Sequence, residues 1–248
     1  MSATDTQDDA GPGSVRWIGV ADAAALRQMA YRRILDAAAH AIERRGRFLI
    51  VLVGGNTPRG IYQMLRTADT DWSRWQVYFG DERCLPADDA ERSSRMAADA
   101  WLNRAPIPQD QVHAIPAELG ARAAALAYAE TLRGVGDFDL VLLGLGEDGH
   151  TASLFPGRDW GVAASTPDAL AVFDAPKPPP QRVSLSAARL SRTREVLFMV
   201  EGEAKRSAVT RWRAGEQLPA GAIRLAGGVD VLVESALLAP RAVSAGMP

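Results

Sequence analysis

The sequence predicts an α/β fold, an open and mostly parallel sheet flanked by helices. Three observations predict it. Phe48 to Val53 and Phe138 to Leu143 are unbroken apolar runs, too short for helices and of the kind required by a strand covered on both faces. Stretches with helical apolar spacing alternate with such runs along the chain. Both runs end on glycines, Gly54-Gly55 and Gly144-x-Gly146, where the chain can bend at the carboxyl edge of a parallel sheet, the edge at which ligands bind.

The elements follow in order. Residues 1–14 are acidic and polar with no apolar stretch. They predict a disordered leader rather than a secretion signal, ahead of a single α/β domain over residues 15–248. From Ala21 to Ile42, Leu26, Met29, Ala30, Ile34, Ala37 and Ala41 recur at helical spacing; Arg44, Arg45 and Gly46 close that helix with cations at its C-terminal end and glycine beyond. After the Phe48 to Val53 strand, Thr57-Pro58 opens a helix, with Thr as N-cap and Pro in the first turn. Trp75 to Phe79 reads as a strand, Arg92 to Asn103 as a helix, Val112 to Ile115 as a strand and Glu118 to Leu132 as a helix. Beyond Gly157, Ala169 to Phe173 and Arg182 to Leu185 read as strands around a Pro-rich bend, Ala175 to Pro180. Glu195 to Val200 is a strand, Glu203 to Arg213 a helix and Val229 to Val233 the last strand. No repeat and no linker-like change of composition interrupts the interior.

At 248 residues, 47% of them hydrophobic and 23% charged, the chain is long enough for a large single core or two small ones. A net charge of -2 offers no basic surface for nucleic acid, and no apolar run approaches the roughly 20 residues of a membrane span, so neither is expected as a partner. The single cysteine, Cys84, excludes an intramolecular disulfide and fits a reducing cytoplasm.

Val141 to Gly157 reads VLLGLGEDGHTASLFPG. Gly144, Gly146 and Gly149 spell the G-x-G-x-x-G pattern of a dinucleotide-binding turn, but the context is wrong. Pro156 limits any helix beginning near Gly149 to about two turns, whereas a pyrophosphate needs a long helix behind its glycines. Asp148 would set a negative charge beside the phosphates, and the pattern lies mid-chain. Asp168 follows at about the usual interval for a ribose-binding acid, but behind Pro167 and with no strand leading cleanly into it. Alternatively, the glycines bend the chain so that Asp148 and His150 face one cleft, where a carboxylate orients an imidazole and supports its protonated form. Of the three histidines, His40 lies in a plain amphipathic helix and His113 suits a structural place in a short apolar strand. Pattern alone leaves His150 open between catalysis and a solvated loop.

A second loop, Val53-Gly54-Gly55-Asn56-Thr57-Pro58, offers backbone N–H groups, a hydroxyl and a helix N-terminus, the parts of an anion site. It lacks the Gly-Lys-Ser/Thr ending of a nucleoside triphosphate loop, which favours a phosphate on a small metabolite. A capped helix after a tight turn would read the same.

With Phe79-Gly80-Asp81-Glu82-Arg83-Cys84-Leu85-Pro86, the chain resembles the 6-phosphogluconolactonases, within the wider glucosamine-6-phosphate deaminase/lactonase superfamily. Gly-Gly-Asn-Thr-Pro is similar to the family's Gly-Gly-Ser-Thr-Pro, with Asn56 for Ser. Asp81-Glu82-Arg83 with Pro86 matches the Asp-Glu-Arg element, and Ser93-Ser94-Arg95-Met96-Ala97 resembles Ser-Asn-x-x-Met, with Ser94 for Asn. Gly144 to Gly157 matches the long signature Gly-x-Gly-x-Asp-Gly-His-Thr-Ala-Ser-Leu-Phe-Pro-Gly. Arg182 to Ser186 and Gly202 to Lys205 resemble downstream Arg- and Lys-bearing elements. In the deaminases a Glu follows the aspartate of Asp-Gly-His by seven positions. Here Phe155 stands there and cannot carry a proton. The deaminases also have Glu-Tyr where this chain has Glu82-Arg83. Both departures favour the lactonase over the deaminase.

The resemblance implies a Rossmann-like sheet of the deaminase/lactonase type and hydrolysis of 6-phospho-D-glucono-1,5-lactone to 6-phosphogluconate. His150 is then the expected base for water and acid for the ring oxygen, supported by Asp148, with N–H groups of the glycine turn as candidate oxyanion donors. Gly55, Asn56 and Thr57 would receive the phosphate, with Arg83, Arg182 and Lys205 as cationic candidates and Asp81 placed on sugar hydroxyls or the water. No cofactor and no metal is expected, since Asp148-x-His150 alone is a poor zinc site and the histidines and cysteine lack ligand spacing. A small-molecule sugar phosphate lactone is the expected partner, and the chain a monomer or small homo-oligomer. Related folds also serve as non-catalytic sugar-phosphate sensors, but the region before Val15 is too short and acidic for the DNA-binding segment that such regulators carry.

Overall fold

In the computed structural model, which describes residues 13–239, the strands are β1 (Val15–Val20), β2 (Phe48–Leu52), β3 (Trp75–Phe79), β4 (Asp81–Arg83), β5 (Val112–His113), β6 (Phe138–Gly144), β7 (Ala169–Val172), β8 (Arg182–Leu185), β9 (Thr193–Val200) and β10 (Val229–Glu234). The helices are α1 (Ala23–Arg45), α2 (Asn56–Leu65), α3 (Ser93–Ala97), α4 (Ala121–Thr131), α5 (Ala187–Ser191), α6 (Arg206–Arg213) and α7 (Ser235–Leu238). The leader expected over residues 1–14 lies outside the described residues except for Gly13 and Ser14.

Seven strands form one parallel sheet in the order β1-β10-β9-β6-β2-β3-β5. All five residues of β2 and the first six of β6 are buried, as their unbroken apolar runs require of strands covered on both faces. Asp22 caps α1 by accepting the N–H of Ala25, and Gly46 ends it at φ 70, a left-handed conformation that glycine adopts without Cβ strain. Leu26, Ala30, Ile34, Ala38 and Ala41 form its buried stripe. Trp72, Trp75, Trp101, Tyr62 and Phe48 pack edge-on or tilted against one another beside β2 and β3.

The sequence pattern misses two strands, β1 and β4, and the short helices α5 and α7. The edge strand β1 pairs in parallel with β10 from Val15↔Val229 to Val20↔Glu234. Asp81–Arg83, to which the sequence pattern assigns no element, is β4, which pairs antiparallel with β8; β7 completes this small second sheet. Other boundaries shift for local reasons. Gly55, not Thr57, is the N-cap of α2. Gly120, at φ 81, separates a short 3-10 turn from α4. The helix expected from Arg92 to Asn103 is α3 running into a wider π turn over Ala98–Leu102.

Topology places the site. From β2 the chain moves to β3 on one side, whereas β6 lies on the other, bonded through Ile50↔Leu140 and Val51↔Val141. The two neighbouring strands feed loops to opposite sides, which opens a crevice at their carboxyl ends. The two glycine loops leave β2 and β6 at that point.

Candidate active site

Gly55, Asn56, Thr57, Asp81, Arg83, His150, Arg182 and Lys205 all line one cleft of about 750 Å³ above the β2/β6 crevice. Asp148 stands behind His150 and holds its ring, so every site residue expected from the sequence is in the cleft or in contact with a residue that is.

The signature segment forms no helix. After β6 it turns through Gly146 N–H to His150 O at 2.7 Å and Gly149 N–H to Gly146 O at 3.0 Å, with Gly149 at φ 90. Asp148 Oδ1 lies 2.5 Å from His150 Nδ1 and accepts the His150 backbone N–H at 3.2 Å. A carboxylate only accepts, so in the neutral ring the proton belongs on Nδ1 and the lone pair on Nε2. Nε2 makes no hydrogen bond among the described residues. Burial pushes the Asp148 carboxyl up, but the hydrogen bond and charge of His150 outweigh it and hold the group below the usual carboxylate range. Glycine is required at 146: an added Cβ would overlap the His150 ring and stand 2.7 Å from Asp148 Oδ1.

The same turn uses up its own donors. The N–H groups of Gly146, Gly149 and His150 are bonded within the turn, so the oxyanion role expected of this turn's N–H groups does not fall to these three. Farther along, Thr151 and Leu154 exchange backbone bonds around Ala152, which is held at φ 47 and lines the cleft. A non-glycine residue there is strained, and the Ala152 N–H has no partner among the described residues.

Ser153 ties the segment to β4: its Oγ donates to Asp81 Oδ2 at 2.6 Å. Burial raises the pKa of Asp81, and the neighbouring Glu82 adds to the effect; Ser153, Arg182 and His150 pull it back. Buried Glu82 accepts the N–H groups of Arg83 at 2.9 Å, Ser93 at 2.8 Å and Ser94 at 2.8 Å, with the Arg92 Nε 3.4 Å away. That carboxylate therefore joins β4 to the start of α3. Ser93 in turn sits against Gly54, where an added Cβ would overlap its Oγ.

On the opposite wall, α2 begins with no side-chain cap. Arg59 N–H makes the first intrahelical bond, to Gly55 O, and Pro58 has no N–H, which leaves the amides of Asn56 and Thr57 at the positive end of a ten-residue helix. Arg83 reaches the cleft with one nitrogen bonded to Glu91 O at 2.7 Å. Lys205 is half-buried; desolvation lowers its pKa, and Glu147 and Asp148 partly restore it. Arg182 is nearly buried and donates from one edge to the carbonyls of Lys177, Pro178 and Pro179. It is thus less free for bidentate phosphate contact than its sequence position implies. His113, away from the cleft, bonds Gln76 and stacks on Tyr78, a structural place. Asp168 pairs with Arg189 and Arg192.

Sequence reasoning missed Ser153, Glu82 and the cleft-lining Lys177, Arg59 and Glu201. Ser153 and Glu82 lay inside quoted motifs, and Lys177 is the one cation within the Pro-rich bend. Those were the available signals.

An open parallel sheet with an uncapped helix N-terminus and a carboxylate-supported imidazole on loops at its switch point defines an α/β protein with a polar cleft at the carboxyl edge of its sheet. The profile of the family described as Glucosamine-6-phosphate isomerases/6-phosphogluconolactonase matches residues 21–232, and the chain belongs to that family. It is 38% identical over 214 residues to the 6-phosphogluconolactonase of Mycobacterium leprae, covering 81% of this chain and 85% of the relative. The 6-phosphogluconolactonase of Streptomyces coelicolor is 37% identical over 226 residues, covering 83% and 84%. The crystal structure of 6-phosphogluconolactonase from Thermotoga maritima superposes with a TM-score of 0.82 at 26% identity, covering 89% of this chain and all of that one. Among the described residues no helix is long and apolar enough to cross a membrane.

Proposed function

We propose that this protein hydrolyses 6-phospho-D-glucono-1,5-lactone to 6-phospho-D-gluconate, the lactonase step of the oxidative pentose phosphate pathway. The observation that carries the reading is the joint lining of one cleft by the His150 imidazole and the uncapped N-terminus of α2. Relatives named for this activity, alike over more than four-fifths of the chain, support it.

In this reading the substrate phosphate rests on the Asn56 and Thr57 amides, with Gly55 permitting close approach and Arg83 and Lys205 supplying positive charge. Asp81, fixed by Ser153, accepts from a sugar hydroxyl or from the attacking water. Neutral His150 takes a proton from water through Nε2 as the oxygen bonds to C1. Negative charge collects on the former carbonyl oxygen, and the N–H of Ala152, which lines the cleft, is a candidate donor to receive it. As the C1–ring oxygen bond breaks, the imidazolium returns its proton to that oxygen. The product carboxylic acid ionises at neutral pH, so each turnover releases one proton to solvent. Asp148 keeps the tautomer and stabilises the imidazolium throughout. No metal or cofactor enters these steps. The single Cys84 supports a cytoplasmic location.

The test is a paired assay. Proton release from freshly made 6-phosphogluconolactone should exceed the spontaneous rate in proportion to enzyme, and glucosamine 6-phosphate should yield no ammonia. Ammonia release with no lactone turnover would overturn the reading in favour of deamination.

A further inference from the structure

Between β7 and β8 the chain carries Pro176, Lys177, Pro178, Pro179 and Pro180. Four prolines fix four φ angles, and the arch is closed by Ala175 N–H to Pro180 O at 3.0 Å. Arg182, nearly buried beneath it, donates Nε to Pro179 O at 3.1 Å and Nη2 to Lys177 O at 2.8 Å and Pro178 O at 3.2 Å. The arch is therefore a stiff, guanidinium-clasped arm, and Lys177 and Pro178 on it line the cleft.

The Lys177 side chain is exposed and has no hydrogen bond or ion pair among the described residues. Lys205, half-buried in the same cleft, likewise has no hydrogen bond or ion pair among the described residues. Glu147 and Asp148 attract Lys205 from a distance but form no ion pair with it, while Lys177 is close enough to repel it. Two ammonium groups held in one cleft without a bridging carboxylate are unfavourable in the empty protein. A dianion between them reverses the sign, and a phosphate monoester carries that charge with several acceptor oxygens.

We propose that Lys177 is a specificity-determining residue that binds the substrate phosphate together with Lys205, and that Arg182 is the positioning residue that holds its arm. This rests on the lactonase reading above, but it is read out separately. Lys177→Ala is an exposed change and should fold with an unaltered Tm. For 6-phosphogluconolactone its KM should rise roughly 10-fold, as loss of one charge-assisted contact implies, with kcat within about 2-fold. For unphosphorylated glucono-1,5-lactone, kcat/KM should change by less than about 2-fold, and Lys177→Arg should recover most of the affinity for the phosphorylated substrate. Calorimetry gives a second arm that needs no turnover: Lys177→Ala should weaken 6-phosphogluconate binding by a similar factor and leave gluconate binding where it was. An unchanged KM and affinity, an equal loss for both lactones, or a loss confined to kcat would each overturn the assignment. If wild-type protein hydrolyses no lactone, the functional reading falls, and the calorimetric comparison still decides the role of Lys177.

Discussion

The Nδ1 of His150 lies 2.5 Å from Oδ1 of Asp148, two residues earlier on the same glycine turn. This fixes which nitrogen is basic. His150→Ala should lower kcat by at least about 10²-fold with the fold retained, since proton transfer of this kind contributes about 10²–10⁴-fold. Asp148→Asn should also be severe, because an amide can offer its NH₂ to Nδ1 and move the ring proton to Nε2. Steady-state kinetics with circular dichroism as the fold control checks both.

The same pair sets an acid limit on stability. The folded pKa of Asp148 is depressed below its unfolded value, so its stabilisation is fully present above the unfolded pKa, about 3.9, and is lost as pH falls through the folded one. As pH falls below about 4, Tm should therefore fall less steeply in Asp148→Asn than in wild type. Parallel slopes would remove the linkage.

Asp81 has the opposite sign. Burial raises its folded pKa, so ionising it opposes folding as pH rises from the unfolded pKa through the folded one. Asp81→Asn should thus be as stable as wild type or more so at neutral pH, yet less active. Ser153→Ala removes a donor to the carboxylate and should push that pKa higher, moving the acid limb of the kcat/KM profile upward. Ser153→Thr keeps the hydroxyl and should restore it.

Gly146→Ala offers a steric test. Its Cβ would collide with the His150 ring, so kcat should fall by about 10²-fold or more as the imidazole leaves its place. Tm should change little compared with a core truncation of about 2–5 kcal/mol such as Leu142→Ala. A near-normal rate would mean that the ring has room the structure does not show.

How much of this was legible before folding depends on whether the signal was local. The apolar runs of β2 and β6, the close of α1 at Gly46 and the two glycine loops each carry their cause within a few residues. The strand β4 does not: Asp81–Arg83 is three polar residues whose partner, β8, lies a hundred positions on. The edge strand β1 likewise depends on β10 at the far end of the chain. The chemistry divides in the same way. Asp148 and His150 are neighbours on one turn, so their spacing announces them. Ser153 beneath Asp81, Glu82 beneath Ser93, and Lys177 and Lys205 in one cleft come together only through tertiary structure. The diversion of Arg182 to three carbonyls could not be read from its position.

Because β2 and β6 are hydrogen-bonded neighbours through Val51 and Val141, the two loops proposed to hold opposite ends of the substrate are mounted on adjacent rods of one frame. The spacing of the roots of those loops, like the hinge of a calliper, is set by the neighbouring strands. On the proposed reading, a lactone phosphate shortened by one carbon should turn over more slowly than the six-carbon one, because a single molecule must reach both loops.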